Sequence, residues 1–115
     1  MALRTRTTRS PEEFAAALVP ISHYFGGGWT SEELEGFGRL MPAERLHAAF
    51  HDAEIVGGAG AFPFELSVPG GPVPSAGVTV VGVLPTHRRR GILHRLMRAQ
   101  LADIRDRGEP VAALW

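Results

Sequence analysis

A chain of 115 residues with 44% hydrophobic and 21% charged side chains has the proportions of a soluble globular domain, enough for one modest core. Twelve basic residues balance 12 acidic ones, which argues against a general nucleic-acid binder, and no apolar run approaches the roughly 20 residues of a membrane helix. The absence of cysteine excludes disulfides, thiolate zinc sites and a cysteine nucleophile, so any chemistry must use other side chains, backbone amides or a bound cofactor.

Residues 1–11 are basic and polar with no apolar stretch behind them, unlike a secretory signal, and a cytoplasmic location is the expectation. Residues 3–8 alternate weakly and predict a short strand. Ser10 then stands as a helix N-cap, Pro11 at a favoured first position and Glu13 as a capping-box partner, with Phe14, Leu18 and Val19 at helical spacing. Pro20 is expected to end or kink this helix, and Gly26, Gly27 and Gly28 to make a flexible connection. Thr30 and Glu33 repeat the capping pattern before a second helix with the stripe Leu34, Phe37, Leu40 and Met41, interrupted by Gly36 and Gly38 and closed by Pro42.

Residues 45–51 and 55–68 are β-compatible runs around a turn at Asp52 and Ala53, which predicts an antiparallel hairpin. Gly57, Gly58 and Gly60 within it predict a bulge or close packing. A Pro- and Gly-rich loop over 69–74 leads to a β-branched strand over 78–84, which Pro85 terminates. From about Arg89 to Arg107 a long amphipathic helix is expected, with Ile92, Leu93, Leu96, Met97, Leu101 and Ile104 on its apolar side, Gly108 as C-cap and Pro110 barring continuation. Residues 111–115 read as a buried strand. Strand, helix and strand in this order predict a βαβ unit with the last strand parallel to 78–84 through a right-handed crossover. The expected fold class is therefore α/β with a mixed sheet, antiparallel strands first and a parallel βαβ unit after, in one domain spanning 1–115.

The chemically informative segment is Pro85-Thr86-His87-Arg88-Arg89-Arg90-Gly91-Ile92, where a strand gives way to a helix under concentrated positive charge. A helix N-terminus already carries about half a positive charge, so arginines there repel it unless an anion is present. A phosphate resolves the conflict: the first-turn amides point outward, Gly91 permits close approach, and guanidinium groups bond phosphate oxygens. The alternative is a solvated arginine run, and charge alone does not choose between the two.

The pattern Arg88-x-x-Gly91-x-Leu93 after Val81-Gly82-Val83 resembles the cofactor signature of the GNAT superfamily of N-acetyltransferases. More narrowly, the run from Ala76-Gly77-Val78 to Gly91-Ile92-Leu93, followed by Pro110-Val111-Ala112-Ala113-Leu114, resembles the enhanced intracellular survival (Eis) family. Leu93 departs from the superfamily's small residue at that position. The resemblance implies a GNAT-like acyltransferase fold that binds acetyl-CoA without a metal. It places the pantetheine arm on the backbone of Val81, Gly82 and Val83, and the pyrophosphate on Arg88, Arg89, Arg90, Gly91, Ile92, Leu93 and His94. It also implies a cleft where two parallel strands splay, and an oxyanion contact from the backbone of Val81.

The family's general acid is a tyrosine beyond the strand that ends at Trp115, whereas Tyr24 is the sole tyrosine here. Its general base is the terminal carboxylate of a much longer chain, so no catalytic residue is identified and truncation after the fifth strand is the expectation. An apolar last strand also needs cover from further sequence or from a homo-oligomer. By the same resemblance Phe25, Trp29 and Val80 are candidates for the acceptor site, with core packing as the alternative for the two aromatics.

His47 and His51 have a spacing that binds zinc on a helix, but their segment reads as a strand without a third ligand, so no metal is expected. His23 has the side chain of a general base but no evident orienting partner. The glycine run lacks the Lys-Ser or Lys-Thr of a P-loop. The leading expectation is an N-acetyltransferase acting on a small-molecule amine, such as an aminoglycoside, or on a protein lysine, with no membrane or nucleic-acid partner. The alternative is a non-catalytic CoA-binding fragment or a basic-helix interaction module.

Overall fold

In the computed structural model, residues 2–114 are described, Phe25 by its backbone alone. Trp115, the end of the last expected strand, lies outside the described residues. Strand β1 (Leu3–Thr7) precedes helices α1 (Pro11–Phe25) and α2 (Ser31–Leu40). A 3₁₀ turn at Ala43–Arg45 leads into β2 (Leu46–His51), β3 (Glu54–Val68) and β4 (Gly71–Val83). A second 3₁₀ turn, Pro85–His87, precedes α3 (Ile92–Asp106) and β5 (Val111–Leu114). The five strands lie in the order β1-β2-β3-β4-β5, antiparallel except for the parallel β4–β5 pair, as the βαβ reading requires.

Helices α1 and α2 cover one face and α3 the other. Period-2 alternation in β2 sorts its side chains accordingly: Leu46, Ala48 and Phe50 join Phe14, Leu18 and Met41, while Ala49 joins Ile92 and Leu96. Across the far side of the sheet, Arg45 makes a buried bidentate ion pair with Glu109 at 2.8 and 2.9 Å, which ties the start of β2 to the turn before β5.

Several local expectations change. Pro20 neither ends α1 nor lies on its surface; the helix continues to Phe25 and stops at Gly26, whose φ of 75° suits a left-handed cap. Packing of the surrounding apolar turns outweighs the bond that Pro20 cannot donate. The expected loop over 69–74 shrinks to a turn at Pro69 and Gly70, because β3 and β4 continue as a ribbon paired to Val68↔Gly71. Its prolines, Pro63, Pro72 and Pro74, lie where the β2 and β5 registers no longer reach, so each needs partners on one side alone.

The long helix begins at Ile92 rather than Arg89, because Arg89 and Gly91 adopt φ of 62° and 76°. Its buried stripe is Ile92, Leu96, Gln100 and Ile104, whereas Leu93 and Leu101 are exposed. Gln100 takes a core position because its amide donates to the Gly60 carbonyl at 2.9 Å. Leu40, assigned by sequence to the α2 stripe, is exposed as well. Strand β5 is an edge in the described structure and not a buried strand, with Leu114 71% exposed.

Candidate functional site

The site begins with an irregularity in β4. Gly58 pairs with Gly82 and Gly60 with Thr79, so Ala59 of β3 faces both Val80 and Val81 of β4. This is a β-bulge, and it holds Val80 at φ 49°, a left-handed conformation that a β-branched residue rarely adopts. The described register of β4 with β5 runs from Ser75↔Val111 to Val78↔Leu114. The Leu84 amide donates to the Val56 carbonyl of β3 at 2.8 Å, so strand alternation turns the Val83 N–H and C=O toward the edge opposite β3. Val81, Gly82 and Val83, named from the sequence, lie on this stretch of β4.

Helix α1 reaches this edge because paired glycines let it descend onto the sheet. A Cβ on Gly58 would collide with the Ala17 carbonyl, and one on Gly82 would come within 2.9 Å of the Ile21 backbone. Ala17 and Ile21 are one turn apart, so the helix rests on this saddle, and the next residue on that face is Tyr24. The Tyr24 hydroxyl donates to the Val83 carbonyl at 2.8 Å.

Past Pro85 the chain turns into α3. Ser10 and Thr30 cap α1 and α2 with side-chain oxygens, and each of those helices has two glutamates in its first turn. Helix α3 has the N-cap Gly91, no side-chain cap and no first-turn acid. Its first intrahelical bond is Arg95 N–H to Gly91 C=O, which leaves the Ile92, Leu93 and His94 amides without intrahelical partners. An anion is the chemical complement of such a terminus.

One cavity of about 580 Å³ joins these parts. Val81, Gly82 and Val83 line one side, Arg88, Arg89, Gly91, Ile92 and Leu93 the other, with Ile21 and Tyr24 over them. The exposed arginines, the uncapped helix start and the Val81, Gly82 and Val83 stretch of β4 therefore face one space, suited to a ligand with an anionic end and a thin amide-bearing arm. Ile92 itself is buried in the core, so its contribution would be its amide, whereas the Leu93 side chain lies exposed. Arg90 and His94, named with these residues from the sequence, are exposed and do not line the cavity.

A second cavity, about 720 Å³, shares Ile21 and Val81 with the first. Trp29 and Val80 line it, together with Glu33, Phe37, Thr79 and Leu114. Trp29 is fixed by an indole bond to the Leu18 carbonyl at 3.1 Å and by an edge contact with Phe37, ring centroids 5.4 Å apart. Its aromatic ring thus packs and lines at once. The side chain of Phe25 lies outside the described residues.

Sequence reasoning missed Glu33 in this role because the capping pattern accounted for it. The Glu33 amide does bond the Thr30 hydroxyl, at 3.1 Å, and the same residue lines the cavity. The same pattern fails at Glu13, whose amide bonds Ser10 while its carboxylate takes the Arg6 guanidinium at 2.7 and 2.9 Å and the Arg9 amide at 2.8 Å. Tyr24 and Ile21 carried no sequence signal, since the glycine saddle that places them is tertiary.

The histidines separate. His47 and His51 sit four residues apart on β2, about 13 Å at strand spacing. His47 is buried, and burial pushes its pKa down despite Asp103. His51 Nδ1 instead lies 2.9 Å from His87 Nε2. His23 is exposed and lines neither cavity. Among the described residues no group of three or more His, Asp or Glu could hold a metal, and no helix is long and apolar enough to cross a membrane.

Comparison with known proteins fits this geometry. The chain is 50% identical over 92 residues to an uncharacterized N-acetyltransferase of Streptomyces avermitilis, covering 78% of this chain and 22% of that protein. It is 48% identical over 109 residues to N-acetyltransferase Eis of Mycobacterium tuberculosis, covering 90% of this chain and 26% of that protein. The crystal structure of Eis1 from Mycobacterium abscessus superposes with a TM-score of 0.81 at 39% identity, over 96% of this chain and 27% of that one. The chain thus spans about a quarter of the length of these relatives. The model of the acetyltransferase (GNAT) domain matches residues 8–115, and the chain belongs to that family.

Proposed function

We propose that this chain, as one GNAT domain over 1–115, binds acetyl-CoA in the first cavity and presents it to a primary amine entering from the second. Acetyl-CoA would supply an acetyl group activated as a thioester, and no metal is needed. The observation that carries the reading is that Val81, Gly82 and Val83 of β4 and the uncapped start of α3 line one cavity. The Val83 edge offers amide partners to the pantetheine arm. Arg88, Arg89 and the first amides of α3 meet the pyrophosphate, with Arg90 and His94 as outer members of the same turn. The backbone amide of Val81, a residue that lines both cavities, would receive a developing oxyanion.

Trp29, Val80 and, from the sequence, Phe25 are proposed for the acceptor side. Glu33 adds a carboxylate that favours a cationic amine, either of an aminoglycoside-like small molecule or of a protein lysine, as it arrives. A cytoplasmic setting and a homo-oligomer that covers β5 belong to the same proposal. No general acid or base is assigned to a residue of this chain.

Calorimetry with coenzyme A, combined with thiol release from acetyl-CoA in the presence of polyamines and aminoglycosides, tests the reading. Coenzyme A is expected to bind, and Arg88→Ala and Arg89→Ala each to weaken it about three- to tenfold, an effect that shrinks in high salt. Binding without thiol release would favour the non-catalytic CoA-binding alternative. Salt-sensitive nucleic-acid affinity without coenzyme A affinity would favour the basic-helix alternative.

A further inference from the structure

We propose that Tyr24 is the placeholder of the pantetheine subsite: its hydroxyl holds the Val83 carbonyl in the free protein and gives it up when the arm binds. The inference rests on the reading of the first cavity given above and adds a residue to it. Three observations carry it. The Tyr24 hydroxyl donates to the Val83 carbonyl at 2.8 Å, a bond between residues 59 positions apart. Strand alternation turns that carbonyl away from β3, on the side where Val83 lines the cavity, since the neighbouring Leu84 amide bonds inward to β3. Tyr24 also lines the cavity and is 49% exposed, so core packing does not require its position.

A strand-edge carbonyl in a cleft must be satisfied by a donor, and an empty cleft would leave that to water. A phenol supplies the same O–H donor that an amide-bearing arm supplies as N–H, so the two compete for one acceptor. The geometry also permits exchange. Tyr24 lies one turn beyond Ile21, the residue seated on Gly82, and is followed two positions later by the cap Gly26 at φ 75° and then by Gly27 and Gly28. A half-exposed ring can turn into solvent while the seated part of α1 stays in place.

The test compares wild type with Tyr24→Phe, which keeps the ring and deletes the competing donor. Two titrants are used: coenzyme A, and adenosine 3′,5′-bisphosphate, which has phosphates but no pantetheine. The expected result is coenzyme A affinity about two- to tenfold tighter in the variant, the worth of one net hydrogen bond, with bisphosphate affinity unchanged. Thermal melts of both proteins establish that the variant is folded. Equal or weaker coenzyme A binding by Tyr24→Phe, or equal tightening of both titrants, would overturn the placeholder role. Absence of coenzyme A binding in wild type as well would remove the reading of the cavity beneath it and the proposal together.

Discussion

Two glycines at the site have opposite physical reasons. Gly82 lies against the backbone of Ile21, so Gly82→Ala must lift α1 from β4, with an overpacking cost of about 1 to 3 kcal/mol. Gly91 has open space where a side chain would stand but φ of 76°, so Gly91→Ala should cost about 1 to 2 kcal/mol for conformation alone. The two variants are expected to lower the melting temperature comparably. Gly82→Ala should in addition disturb the Tyr24–Val83 bond, visible as a shifted Val83 amide resonance that Gly91→Ala leaves in place. Identical spectra for the two would contradict the saddle. Gly91 was legible in the sequence because its spacing from Arg88 forms a pattern. Gly82 was legible only as part of a strand, since its partner Ile21 lies 61 positions away.

At the scale of elements, α1 is held to β1 by electrostatics as well as packing. The Arg6 guanidinium, with the Arg9 amide, holds the Glu13 carboxyl down from its ordinary 4.5 to about 2. Because the folded value lies below the unfolded one, the contribution is complete above about pH 4.5 and is lost as pH falls toward 2. Burial of His47 acts in the same direction at higher pH: its folded pKa lies below 6.5, so stability is lost as pH falls through that value. Urea midpoints at pH 7, 5 and 3 should fall in both steps for wild type. Glu13→Gln should flatten the step from 5 to 3 while sparing the step from 7 to 5; an unchanged lower step would contradict the assignment. The capping pattern located both helix starts but not the destinations of Glu13 and Glu33, because a glutamate at that position chooses between the backbone and whatever side chain the tertiary fold brings near. Likewise the apolar spacing of α3 located the helix yet admitted Leu93 and Leu101 to a face that Gln100 occupies.

For the whole molecule, the succession of strands and helices along the chain and the parallel closing pair followed from the sequence because hydrophobic periodicity and the Pro and Gly breaks are local signals. Gly57, Gly58 and Gly60 marked the bulge and the close packing from the β3 side, but that its extra residue is Val80 of β4, and that β3 and β4 continue as an extended ribbon, were not legible, since strand register depends on pairing between distant residues. The two cavities share Val81 beside that bulge, and the central claim is that residues 81–83 of β4 and the start of α3 receive one ligand. An amide-resolved NMR titration with coenzyme A tests this most directly. The account predicts the largest shifts at Val81, Val83 and the amides of Gly91, Ile92, Leu93 and His94, with saturation at one equivalent. Shifts concentrated elsewhere, or confined to the arginine turn with the β4 edge silent, would contradict it.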